Sequence, residues 1–307
     1  MTMIDTVPGT PVWHSIGSPF GHALRLAVRP ASRSEEALDR AAAVLSELEP
    51  VCGRRNRDSE LQRVNCRAGR WTRTSEPFHD VLRAALQVAR FTDGLQDPML
   101  CLGFGHGGQA VHPRRTTPYL AAGPRRCVLG RWQNVGVRWD GKVLVPLGHA
   151  LDLSTAATAL AAERIARSVA GDLDADLIVG IGRCGDAAGG AWPATFGPVP
   201  SGPAVGGPAA VVDSAGAVAT AWGWPRGGLR RFALLGPADS DESRPAGTFW
   251  RSVSVEASSV AVAQAAAHAA ILLGPAAVGW LTQRQLAARL VHRDGEAVCL
   301  GAWPRAD

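Results

Sequence analysis

The chain has 307 residues, enough to bury one large core, and a formal net charge of +5. Lys142 is its only lysine and the arginines are scattered. There is no basic stripe interleaved with aromatics, so the charge does not argue for a nucleic-acid partner.

The six cysteines form no CxxC and no Cys/His cluster, which leaves reduced, buried thiols as the expectation rather than zinc. Ten Trp are dispersed along the chain, the usual pattern of core residues. The N-terminus lacks the basic-then-apolar pattern of a signal peptide. The longest apolar run, Val260 to Val278, is interrupted by Gln264, His268, Gly274 and Pro275. A cytoplasmic protein without a membrane span is expected.

In chain order, residues 12–29 read as two strands around a Gly17-Ser18-Pro19 turn. Ser34 is placed to cap a helix with Leu38, Ala41, Ala42, Leu45 and Leu48 on its apolar face, and Pro50 is placed to end it. A polar loop follows, then a helix over 75–92 and a turn from Thr92 to Pro98. Residues 103–130 read as irregular. Strands are predicted at 132–138 and 142–147 around Asp140-Gly141.

The stretch from Leu151 to Gly190 organises the chain. A short apolar segment ends at Asp152-Leu153, and Ser154 or Thr155 can cap the next helix, where Ala157, Ala161, Ile165 and Val169 recur at four-residue spacing. Gly171 is predicted to stop that helix and Leu177-Ile178-Val179 to be a buried strand. Gly182, Gly185, Gly189 and Gly190 then form a turn bearing Asp186. Such a unit suits either a phosphate at a helix N-terminus or ordinary βαβ packing.

Beyond a Pro/Gly-rich loop at 191–209, strands are predicted near 209–212, 217–221, 230–235 and 250–256. An Ala-rich helix over 258–273, stopped by Gly274-Pro275, a short helix near 282–287 and a closing hairpin complete the chain. Strand and helix content in both halves points to an α+β fold.

Five segments, in order, resemble the ApbE family of FAD:protein FMN transferases, especially its actinobacterial branch. RNRDSELQRVNCRAG is similar to the family's "SRFRPDSELSRLN…AG", and AALQVARFTDGLQDPML to "ALR.A..TDGLVDPTV". LDLSTAATALAAERIA resembles "LDLGG.AKG.A.DRAA", and IVGIGRCGD resembles "LVNLGGD". The end, SVSVEASSVAVAQAAAHAAILLG with ARLVHRDGEAV, is similar to "TV.A.…ADA..TA..VLG" and "ARLVD.DG..V".

The resemblance spans about residues 15–303. It implies an α+β, T-fold-related domain over 1–307 with mixed or antiparallel sheets and packed helices. Its two subdomains, about 12–150 and 151–303, would share a flavin cleft. It also implies a transferase that binds FAD, uses magnesium, moves FMN to a Thr or Ser of an acceptor flavoprotein and releases AMP.

By the same resemblance, Asp152 and Asp186 are the candidate catalytic carboxylates. Ser18, Arg55, Asp97, Ser154, Thr155, Thr158 and Glu163 are candidate nucleotide contacts, and Gln264 and His268 stand at the metal positions. The last two replace an Asp and a Thr or Ser four residues apart on one helix face, with softer and neutral donors that suit magnesium poorly. They fit either plain helix packing through Ala263, Ala266, Ala267 and Ala270 or a rebuilt metal site.

Ser154, Thr155 and Thr158 replace the glycines and lysine of "GG.AKG", which removes a positive charge and adds Cβ atoms where a phosphate approaches. Phe232 to Pro237 aligns with "HHIIDP" and carries no titratable group, so the usual candidate base is missing. Arg55 replaces an aromatic but can stack on a ring. The departures leave three readings: a rewired transferase, a flavin-binding pseudoenzyme, or a repurposed enzyme acting on another small molecule.

Overall fold

The computed structural model describes residues 14–17, 20, 24–53, 56–101, 132–181, 184–188, 192–194, 210–212, 217–222 and 249–303. In chain order the elements are β1 (His14–Ser15), β2 (Leu24–Arg29), α1 (Ser34–Cys52), α2 (Glu60–Cys66), β3 (Thr72–Arg73), α3 (Glu76–Phe91) and β4 (Met99–Cys101). Next come β5 (Gly136–Val137), β6 (Lys142–Leu144), β7 (His149–Leu151), α4 (Ser154–Leu173), β8 (Asp176–Ile181) and β9 (Cys184–Ala188). The remainder are β10 (Trp192–Ala194), β11 (Ala210–Val212), β12 (Ala217–Trp222), β13 (Trp250–Ala257), α5 (Val260–Leu273), α6 (Ala277–Gln283), β14 (Ala287–His292) and β15 (Ala297–Leu300).

An eight-stranded sheet runs β1-β2-β8-β9-β12-β13-β14-β15, and each neighbouring pair is antiparallel. Three smaller antiparallel sheets join β10 to β11, β3 to β6 and β5, and β4 to β7. The α+β class with antiparallel sheets and packed helices is therefore present. The βαβ unit expected around α4 is absent. β7 pairs with β4 in a separate sheet, while β8 lies antiparallel between β2 and β9. Local periodicity identifies strands but carries no information about their partners.

The four-residue stripe of α4 is buried as expected, with Ala157, Ala161, Ile165 and Val169 all at zero exposure. They join Leu26, Val179, Leu82 and Ala263 in the largest core cluster. The helix runs through Gly171 to Leu173 and ends at Asp174, whose φ of 46° supplies the left-handed stop instead.

Pro50 likewise lies inside α1, which begins at Ser34 itself and reaches Cys52. A proline in the last turn removes few hydrogen bonds, and buried Leu48, Val51 and Cys52 hold that turn in the core. The predicted polar loop contains α2, capped by Ser59 accepting from the Gln62 N–H and anchored by buried Leu61 and Val64. The late short helix lies earlier than predicted, at Ala277–Gln283.

By composition, Val260–Gln283 is long and apolar enough to cross a membrane, with a mean hydropathy of 1.6. However, 61% of its apolar window is buried in the protein, and Gly274 at φ +55° divides it into α5 and α6. α5 packs on β12 and β13. Trp250 and Trp303 are core residues as expected, but Trp139 is 99% exposed on the β5–β6 hairpin. Among described cysteines, Cys52 is buried and unpaired, and burial pushes its thiol up. Cys66 and Cys299 are half-buried and also unpaired. The strand predicted near 230–235 lies outside the described residues.

Candidate functional site

Two helix starts and one turn carry the candidate residues. Buried Asn65 on α2 clamps the end of β7. Its Oδ1 accepts from the Leu151 N–H at 2.7 Å, and its Nδ2 donates to the Leu151 carbonyl at 2.9 Å. The next residue, Asp152, donates its N–H to the Pro98 carbonyl at 2.8 Å, which ties the entry of α4 to the turn after α3.

The Asp152 carboxylate then caps α4. Its Oδ1 accepts from the Ser154 N–H at 3.0 Å and from the Ser154 hydroxyl at 2.6 Å. Ser154 is thus the first helical residue and a donor, while Asp152 does the capping assigned to Ser154 or Thr155. A carboxylate at this helix start occupies the place where a phosphate would use the dipole. Thr158 is buried, and its hydroxyl donates to the Ser154 carbonyl at 2.6 Å. Thr155 lies half-buried in the same first turn.

Glu163, farther along α4, reaches the other helix start. Its Oε1 accepts from the Ala261 N–H at 3.3 Å, while Ser259 caps the same helix by accepting from the Val262 N–H at 3.2 Å. A carboxylate at the positive end of α5 is favourable without any ligand. Asp97 is 9% exposed and shapes the loop around it, with Oδ1 accepting from the Met99 N–H at 2.8 Å and Oδ2 from the Trp132 N–H at 3.0 Å. Burial, the largest influence, holds its carboxyl above the ordinary range against the pull of those N–H groups.

His268, one helical turn after Gln264 on α5, meets Gln96, a residue that sequence reasoning did not single out. Thr92 builds the turn that presents it. The buried Thr92 hydroxyl donates to the Val88 carbonyl at 2.9 Å and accepts from the Gln96 N–H at 3.1 Å. The Gln96 amide nitrogen then lies 3.3 Å from His268 Nδ1. Gln96 Oε1 and Gln264 Oε1 are both buried without a hydrogen-bond partner. The signal available in the sequence was one letter: TDGLQDP, with Gln where the resembled segment has Val.

This cluster does not fit magnesium. It offers amide oxygens and an imidazole where a hard dication prefers carboxylates. Among the described residues, no three His, Cys, Asp or Glu are grouped to hold a metal. Asp186, expected in a Gly-rich turn, instead sits within strand β9, opposite Val179 and Ala217. Alternation and length gave too little signal there, because glycines and alanines dominate the strand. Ser18, Arg55 and the segment Phe232 to Pro237 lie outside the described residues.

Solved ApbE proteins share this antiparallel α+β fold. The ApbE protein of Thermotoga maritima superposes with a TM-score of 0.68 at 17% identity, covering 95% of this chain and 97% of that one. The Pseudomonas stutzeri flavinyl transferase ApbE, in its apo form, gives 0.67 at 18% identity and 97% of both chains. The flavin transferase ApbE of Vibrio cholerae gives 0.64 at 18% identity, over 94% of this chain and 97% of that one. No curated protein sequence matches the chain. The sequence matches the ApbE family over residues 20–290, and the chain belongs to that family.

Proposed function

We propose that this ApbE-family chain binds a flavin nucleotide of the FAD class and retains at most a residual FMN-transferase activity. The observation that carries the reading is that Gln264 and His268 stand where the resemblance expects metal ligands, with the Gln96 amide 3.3 Å from His268. Splitting a pyrophosphate at a useful rate requires its developing charge to be neutralised, and Gln96, Gln264 and His268 supply no carboxylate to hold the cation that would do so.

The other candidate carboxylates support the same reading. Asp152, Glu163 and Asp97 each accept from backbone N–H groups at a helix start or in a loop. These are roles that survive loss of catalysis. A Thr or Ser of an acceptor flavoprotein is the target for whatever transfer remains.

The test is calorimetric titration of FAD with and without magnesium, combined with measurement of AMP release. Metal-independent binding with AMP release near background supports the proposal. Magnesium-dependent binding with stoichiometric AMP release overturns it in favour of a working transferase. Absence of binding in both conditions overturns the flavin reading and leaves the fold serving another small molecule.

A further inference from the structure

We propose that Gln96 and Gln264, braced by His268, form a metal-independent recognition site. Their carbonyl oxygens would accept from an uncharged donor of the bound nucleotide, an amide-type N–H, an amine or a sugar hydroxyl. This inference rests on the flavin-nucleotide reading above and names the contact that replaces a cation.

The argument starts from hydrogen-bond satisfaction. Buried side-chain acceptors in folded proteins are nearly always paired, because an unpaired one keeps its full desolvation cost. Several buried polar side chains among the described residues follow the rule. Ser59 accepts from Gln62, Asn65 is paired twice with Leu151, and the Thr220 hydroxyl meets that of Ser254.

Three buried side-chain atoms among the described residues have no partner: Gln96 Oε1, Gln264 Oε1 and Asp140 Oδ1. The third belongs to a separate hairpin, where Lys142 pairs with the other oxygen of the same carboxylate at 2.7 Å. The first belongs to the side chain whose amide nitrogen lies 3.3 Å from His268 Nδ1, and the second stands one helical turn before His268 on α5. Two unpaired acceptors in one cluster form a pattern, and their chemical complement is a pair of donors.

The positions carry a second, independent argument. Gln96, Gln264 and His268 each depart from the segments this chain resembles, replacing Val, Asp and Thr or Ser. They lie on two elements about 170 residues apart, and the structure joins Gln96 to His268 at 3.3 Å. Gln96 adds an amide beside a site that has lost its carboxylate, so a charged cation site is converted into a neutral hydrogen-bonding one. Neutral acceptors of this kind favour an N–H or O–H over a strongly hydrated dication.

The experiment is FAD titration in EDTA into the wild-type chain, Gln264→Met and Gln96→Met, with thermal denaturation of each. Loss of one buried acceptor from the ligand contact weakens binding by about tenfold. Gln264→Met also removes an unpaired polar atom from the apo protein, which raises Tm by about 2 °C.

Wild-type binding in EDTA, weakened in the variants, supports the inference. Unchanged FAD affinity in the variants overturns it and leaves the flavin reading intact, and so does wild-type binding that EDTA abolishes. Wild type that fails to bind FAD with or without magnesium overturns the flavin reading, and this inference with it. If Gln264→Met does not fold, Gln96→Met decides the affinity question alone.

Discussion

Asp152 is both the residue that caps α4 and the leading candidate for chemistry, and two substitutions separate those roles. Its Oδ1 accepts from the Ser154 N–H at 3.0 Å and from the Ser154 hydroxyl at 2.6 Å. Asp152→Ala removes the acceptor and the negative charge together. Loss of a helix-capping acceptor costs about 1 kcal/mol, and loss of the charge at the helix start about 0.5 kcal/mol more. The expected destabilisation is therefore about 1.5 kcal/mol, or about 3 °C in Tm for a chain of this size.

Asp152→Asn keeps a carbonyl oxygen able to accept both bonds, so it should cost only about 0.5 kcal/mol. Urea denaturation followed by far-ultraviolet circular dichroism measures both variants. If the two variants lose equal stability, the charge and not the hydrogen bond holds the helix start, and the capping argument fails. With folding preserved in Asp152→Asn, any AMP release still present in the wild type becomes a clean measure of the carboxylate's chemical role. If the two proteins release AMP equally, Asp152 is removed from catalysis.

Glu163→Ala should lower stability by about 1 kcal/mol, because α5 loses a carboxylate at its positive end, and Glu163→Gln should recover roughly half of that in the same urea assay. Asp97→Asn should cost about 1–2 kcal/mol, since one amide oxygen cannot replace two carboxylate acceptors for the Met99 and Trp132 N–H groups. Burial raises the folded-state pKa of Asp97 above its ordinary 3.8, so the native state holds that proton more tightly than the unfolded state does. Its contribution to stability therefore falls as pH rises through the window above 3.8, and a urea series across that window should show a shallower slope in Asp97→Asn. The double substitution Gln264→Asp with His268→Thr should create a magnesium dependence of FAD binding that the wild type lacks. A calorimetric titration showing no such gain would mean that other residues exclude the metal.

Much of this protein is legible in its sequence. The four-residue stripe of α4, the extent of α3, the Asp140-Gly141 hairpin and the Gly274 stop are local patterns. Local sterics and amphipathicity decide them before any tertiary contact forms. Five ordered segments also sufficed to point to the family.

What escaped the sequence depends on partners distant along the chain. The antiparallel placement of β8 between β2 and β9 and the survival of Pro50 inside α1 were set by packing in the assembled core. The reach of Glu163 to the start of α5 was set in the same way. Gln96 is the sharpest example. In the sequence it is a turn residue, and only the fold lays it beside His268. Hydrogen bonding acts over about 3 Å, whatever the separation along the chain.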